Sequence, residues 1–187
     1  MVRISERAKS ITGRIALIGV HAALICICAP LSIYLGAVPV SLATFAVMLS
    51  GFIAGPAAGV QATGIYLLLG IAGLPVFAGA RAGIAVLAGP TGGYLAGYLL
   101  LAAICGLYVY FEKKVNSDWA KAAILIALGA AGTAVLYLAG TAWYCIVTGS
   151  GIGAAITVCV LPFLPGDALK IAACAVLTLS LRRRLKL

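Results

Sequence analysis

Between Val38 and Leu101 the chain carries one charge, Arg81, yet it is crowded with glycine and proline. Water would not tolerate so apolar a surface on a soluble domain. A plain membrane anchor would have no use for so many helix breakers. The pairing of the two properties predicts a chain that crosses a bilayer repeatedly and breaks around an internal cavity. Arg81 sits between Gly79, Ala80, Ala82 and Gly83.

The rest of the 187 residues agree: 64% are hydrophobic and only 9% are charged, against about 25% charged in an average globular protein. A crossing helix needs about 20 apolar residues, so the length allows roughly six crossings and leaves no room for a separate soluble domain. The net charge of +9 is concentrated at the ends of apolar runs: Arg3, Arg7, Lys9 and Arg14; Lys113, Lys114 and Lys121; Arg182, Arg183, Arg184 and Lys186. That is the distribution the positive-inside rule produces, with some attraction to anionic lipid headgroups. Basic residues are not interleaved with aromatics, which speaks against nucleic-acid binding. The six cysteines lie in apolar runs without C-x-x-C spacing and read as small buried hydrophobes, not as metal ligands.

Periodicity and breakers place helices at about 15–35, 40–54, 58–74, 92–111, 119–147 and 167–181. The expected fold is therefore an all-α integral membrane protein, a single bundle of six transmembrane helices. A Gly-rich extracellular loop, Val76 to Thr91, joins helices 3 and 4. Six crossings put all three basic clusters, and both termini, on the cytoplasmic side of a bacterial plasma membrane. The apolar stretch Gly151–Leu164 is too short to cross comfortably and is expected to lie at the interface or re-enter. Gly51, Gly55 and Gly59, and Gly93 and Gly97, are spaced for close helix packing, as are Gly19 and Ala23. His21, the lone histidine, reads as a helix–helix hydrogen-bond partner.

Few residues in this chain can do chemistry. In PFLPGDALK, Pro162 to Lys170, Pro165-Gly166 breaks the chain and Asp167 opens a helix, where the dipole favours a carboxylate. Lys170, three residues on, shares its face. Ionisable groups between long apolar stretches are costly and tend to face a partner, a cavity or water. The residues alone leave two readings open: a pair that binds a polar substrate, or a helix-start ion pair at headgroup level. Arg81 offers a planar fork suited to a carboxylate, with Gly79 and Gly83 allowing close backbone approach; it equally suits a loop arginine reaching for headgroups. Ser41, Thr44, Gln61, Tyr66, Thr91, Tyr94 and Tyr98 complete the polar and aromatic set, Tyr94 and Tyr98 on one helix face. No phosphate-binding loop, serine–histidine pair or His/Glu cluster occurs, so neither ATP hydrolysis nor an intramembrane enzyme is expected, and no cofactor or metal. Accumulating a substrate would draw on an outside energy source.

In order, VPVSLATFAVMLSG, AGPAAG, YLLLGIAGLPVFAG, GPTGGYLAGY and PFLPGDALK resemble the BioY family, the substrate-binding S components of energy-coupling factor (ECF) transporters for biotin. The resemblance covers roughly Val38–Leu101 and Pro162–Lys170. It implies a six-helix membrane protein that captures biotin from outside and works with a transmembrane coupling protein and two cytoplasmic ATPases. It departs from the family where a usual glutamine is Ala43, and Gly19/Ala23 stands in for an Ala-x-x-x-Ala contact motif on the first helix. Under this resemblance Asp167 accepts ureido N–H bonds and Lys170 donates to the ureido carbonyl or holds Asp167 charged. Arg81, or Lys170 if the ligand is reversed, meets the valerate carboxylate. Tyr94, Tyr98, Gly79 and Gly93 line the apolar body, with Thr44 and Ser41 beside it. Gly19 and Ala23 become the coupling-protein contact. The alternatives are an S component for another vitamin, or a membrane-embedded enzyme or assembly subunit.

Overall fold

The computed structural model describes residues 10–34 and 38–185. Arg3, Arg7, Lys9 and Lys186, named above, and the end of the helix expected at 15–35 lie outside these residues. The chain is built of helices α1 (Ile11–Cys28), α2 (Ala43–Ile71), α3 (Ile84–Ala88), α4 (Gly92–Gly106), α5 (Tyr108–Phe111), α6 (Asp118–Thr148), α7 (Ile152–Cys159) and α8 (Leu164–Leu185). Among the described residues, five helical segments are long and apolar enough to cross a membrane: Ile11–Cys28, Ala43–Ile71, Gly92–Lys114, Asp118–Thr148 and Leu164–Arg184.

The two helices expected at 40–54 and 58–74 form one element, α2, broken inside. Gly55 sits at φ 83° and ψ 174°, outside helical space, a conformation that only glycine adopts cheaply. Pro56 follows and has no N–H to give the preceding turn. The two arms turn back on each other: a Cβ on Gly59 would stand 3.0 Å from the Gly51 Cα. In a straight helix those residues would be about 12 Å apart. Gly106 of α4 closes on the same break, since a Cβ there would lie 2.3 Å from the Pro56 Cα. The small-residue spacing thus packs α2 against itself and against α4.

The break strands carbonyl oxygens at the end of the first arm. Arg182, near the far end of α8, takes them: its Nη1 donates to the carbonyls of Phe52 (3.0 Å) and Ile53 (3.2 Å). Its Nη2 pairs with Glu112 Oε2 at 2.7 Å, and the guanidinium lies 5.6 Å from the centre of the Tyr108 ring. Arg183, beside it, pairs with Asp118 on the exposed surface. The basic cluster that reads as a topology signal therefore contains one residue with a packing role.

Two differences from expectation matter for the site. First, α1 ends at Cys28, not Leu35. Ala29 caps it onto the Ile25 carbonyl, and Pro30 cannot continue the ladder. The residues after it form β1 (Ser32–Tyr34), antiparallel to β2 (Pro39–Ser41), with Ser32 opposite Ser41 and Tyr34 opposite Pro39. An all-α reading misses this ribbon. Second, α8 begins at Leu164, not Asp167. Pro165 fits in a first turn, where its missing N–H costs nothing, and the Asp167 N–H already bonds the Phe163 carbonyl at 2.8 Å. Gly151–Leu164, as its length suggests, is too short to cross: its helix, α7, has eight residues or about 12 Å, far short of a bilayer's hydrocarbon thickness. His21 bonds within its own helix: Nδ1 donates to the Leu17 carbonyl at 2.8 Å.

The core runs between the helices. α2 packs against α1, α4 and α8, and α6 against α4, α7 and α8. Gly93 and Gly97 admit α6: a Cβ on Gly93 would fall 2.3 Å from the Trp143 Cβ, and one on Gly97 would fall 2.8 Å from a Leu136 methyl.

Candidate functional site

Where β2 runs into α2, the chain meets the opening turns of α8, and a pocket forms. Its wall comes from Val38, Pro39, Ser41 and Thr44 on one side and from Tyr94, Leu95 and Tyr98 of α4 on another. Leu136 and Tyr137 of α6, Phe163, Asp167 and Lys170 close the inner end. Tyr66, Phe77, Ala78, Arg81, Val86 and Thr91 complete it. The empty space, open mouth included, is about 580 Å³, which suits a small molecule.

Asp167 is the buried anion of this pocket, 3% exposed. Lys170 is its counter-ion, Nζ to Oδ1 2.9 Å. Lys170 also donates to the Ser41 carbonyl at 2.8 Å and to Thr44 Oγ1 at 3.1 Å, so all three of its N–H groups have acceptors. Thr44 in turn donates to Asp167 Oδ1 at 3.3 Å. The hydroxyl of Tyr137 donates to the other carboxylate oxygen, Oδ2, at 2.6 Å. Three elements, α2, α6 and α8, therefore converge on one carboxylate, and β2 joins them through Lys170. A buried charge survives only with such partners, since its desolvation is repaid by hydrogen bonds and a close counter-ion. Asp167 also stands in the first turn of α8, where the helix dipole favours an anion.

The ribbon explains why Ser41 matters. β2 delivers a main-chain carbonyl to Lys170, and the Ser41 hydroxyl accepts the N–H of Ala43 at 3.2 Å, which fixes the entry to α2. Position 43 brings a backbone amide to the site and no side-chain polar group. The Tyr94 hydroxyl donates to the Cys159 carbonyl at 2.6 Å, tying α4 to α7. The pocket is otherwise apolar and aromatic. Phe77 stacks edge-on against Tyr66, ring centres 5.6 Å apart.

Arg81 lies at the exposed rim. The loop before it folds through a short 3-10 turn, Ala78–Ala80; the Phe77 N–H bonds the Arg81 carbonyl at 3.0 Å, and Arg81 Nε donates to the Ala78 carbonyl at 3.3 Å. Of the predicted residues, Ser41, Thr44, Arg81, Tyr94, Tyr98, Asp167 and Lys170 share the pocket. Gly79 and Gly93 do not line it. Gly79 supplies a positive φ of 71° next to Ala78, which does line it. Gly93 faces the side of α4 covered by Trp143 and Ala139, about a third of a turn from Tyr94, so protein already fills the space beside it. Gly19 and Ala23 are on the exposed face of α1, with open space beside Gly19.

Sequence reasoning missed Tyr137, Leu136, Phe163, Phe77 and Pro39. A tyrosine midway along a 31-residue apolar helix was the one available signal, because a buried hydroxyl needs a partner. Among the described residues no group of three His, Cys, Asp or Glu comes together as a metal site.

The comparisons with known proteins agree with this architecture. The sequence model of the BioY family matches residues 3–187. The biotin transporter BioY of Thermotoga maritima is 39% identical over 165 residues, 88% of this chain and 93% of that one. The probable biotin transporter BioY of Pyrococcus horikoshii is 33% identical over 163 residues, 87% of this chain and 92% of that one. A crystal structure of the S-component for biotin from an ECF-type ABC transporter superposes with a TM-score of 0.79. Each chain is covered to 92%, with 24% of residues identical.

Proposed function

The chain belongs to the BioY family, and from that premise we propose that it captures biotin and serves as the S component of an ECF-type transporter. It is a binding subunit and not an enzyme. The observation that carries the reading is the buried carboxylate of Asp167, held by Lys170, Thr44 and Tyr137 at the inner end of a small aromatic pocket. Biotin brings two ring N–H donors and a carbonyl, an apolar sulfur ring and a carboxylate tail. An ionised Asp167 accepts a ring N–H. With its three N–H groups already engaged, Lys170 holds Asp167 charged and fixes β2 to α8. Tyr94, Tyr98, Tyr66 and Phe77 enclose the apolar body, and Arg81 at the rim takes the tail carboxylate.

The remaining assignments follow from the same reading. The two arms of α2 each cross the membrane, giving six crossings in one domain, with both termini cytoplasmic and the Val76–Thr91 loop outside. Gly19 and Ala23, on the open face of α1, form the contact with the transmembrane coupling protein, which two cytoplasmic ATPases drive.

The test is binding of radiolabelled biotin to the purified protein, with Asp167→Asn and Lys170→Ala alongside. Saturable binding by the wild type, lost in both variants, is expected. Undiminished binding in both variants would remove this site. Displacement by unlabelled biotin but not by other vitamins separates biotin from another ligand of the same class.

A further inference from the structure

We infer that Tyr137 is a specificity-determining residue, which leaves Asp167 a single acceptor position for the ligand, so that the site reads one of the two ring nitrogens and not the other. The inference rests on the biotin reading above and deepens it. An ionised carboxylate offers four lone-pair positions, two on each oxygen. Oδ1 receives Thr44 and Lys170, and both its positions are taken. Oδ2 receives Tyr137 at 2.6 Å, which leaves one. The ring N–H groups of a cyclic urea point away from each other on either side of the carbonyl, so one acceptor position can serve only one of them.

Tyr137 also decides where that position lies. Its hydroxyl comes from α6, while the other partners of the carboxylate come from the start of α2 and from α8 itself. The remaining position on Oδ2 is thus bounded on one side by the Tyr137 oxygen. A short bond to a charged acceptor is among the stronger neutral-donor bonds in proteins, so a ligand N–H joins Tyr137 on Oδ2 and does not replace it.

Two measurements test this. The first uses the wild-type protein and two biotins, each methylated on a different ring nitrogen. One methylation is expected to weaken binding at least 100-fold, the other less than about 10-fold; equal losses from both would overturn the inference. The second uses Tyr137→Phe, which keeps the ring and its packing and removes only the donor. Its unfolding midpoint should fall only modestly, because Lys170 and Thr44 still hold the carboxylate. Biotin and desthiobiotin, which share the urea ring, should each bind about 10-fold to 100-fold more weakly. 2-Iminobiotin, whose cyclic guanidine brings an extra N–H donor, should lose less than about 3-fold, because that donor can take the position Tyr137 vacates. A structural role alone would weaken all three ligands alike, and that result, or no change for any of them, contradicts the inference. Failure of the wild type to bind biotin at all would instead count against the function proposed above.

Discussion

Lys170 and Arg182 stand about three turns apart on the same helix, each with its side chain largely covered and paired with one carboxylate. Lys170 meets Asp167, and Arg182 meets Glu112. Around Lys170 the hydrogen bonds end at a pocket. Around Arg182 they end at the Phe52 and Ile53 carbonyls that the break in α2 leaves exposed, and the guanidinium rests on the Tyr108 ring. A buried ion pair therefore does not by itself mark a binding site in this protein. The deciding feature is whether an acceptor position and empty space remain beside it. Asp167 has both; the Arg182 pair serves the packing of α2, α8 and the segment after α5.

That contrast makes separable predictions. The largest effect belongs to Asp167→Asn and Lys170→Ala. Each leaves a buried polar group without its partner, and each should weaken biotin binding by about 2–5 kcal/mol, or roughly 30-fold to several thousand-fold. Equilibrium binding in detergent or nanodiscs checks this. Arg182→Ala should do the reverse. It uncaps two carbonyls and strands Glu112, at a cost of about 2–4 kcal/mol in stability. That is read as a lower unfolding midpoint, with biotin affinity in the folded fraction within about 3-fold of wild type. If Arg182→Ala abolished binding without loss of stability, the division of roles along α8 would be wrong. Arg81→Gln should be milder, because Arg81 works at the exposed rim. A loss of about 3-fold to 10-fold for biotin is expected, falling to near zero for an amide of biotin that lacks the carboxylate. Least of all, Arg183→Ala, which removes an exposed pair with Asp118, should shift stability by less than about 0.5 kcal/mol and leave binding unchanged.

How much of this is legible in the residues depends on how each one differs from its surroundings. Asp167 and Lys170 stand out because ionisable groups in an apolar stretch need a reason to be there. The break at Gly55-Pro56 is equally plain, since two helix breakers adjoin. Tyr137 is half hidden: its place inside a long apolar helix asks for a hydrogen-bond partner, but nothing local says that the partner is a carboxylate 30 residues away. Arg182 is disguised by its neighbours, because Arg183 and Arg184 make the cluster look like a topology signal alone. The ribbon of Ser32–Tyr34 and Pro39–Ser41 has only three residues in each strand, too few to show alternation. Gly93 illustrates the opposite error. It adjoins Tyr94 in sequence, but successive helical residues point about 100° apart, and its face belongs to Trp143.

The most direct test of the central claim is a crystal structure of the protein grown with biotin. The account predicts the urea ring at the inner end of the pocket, one ring nitrogen within about 3 Å of Asp167 Oδ2, Tyr137 still bonded to that oxygen, and Arg182 unmoved. Biotin bound elsewhere, or lying in the pocket with Asp167 out of its reach, would contradict it.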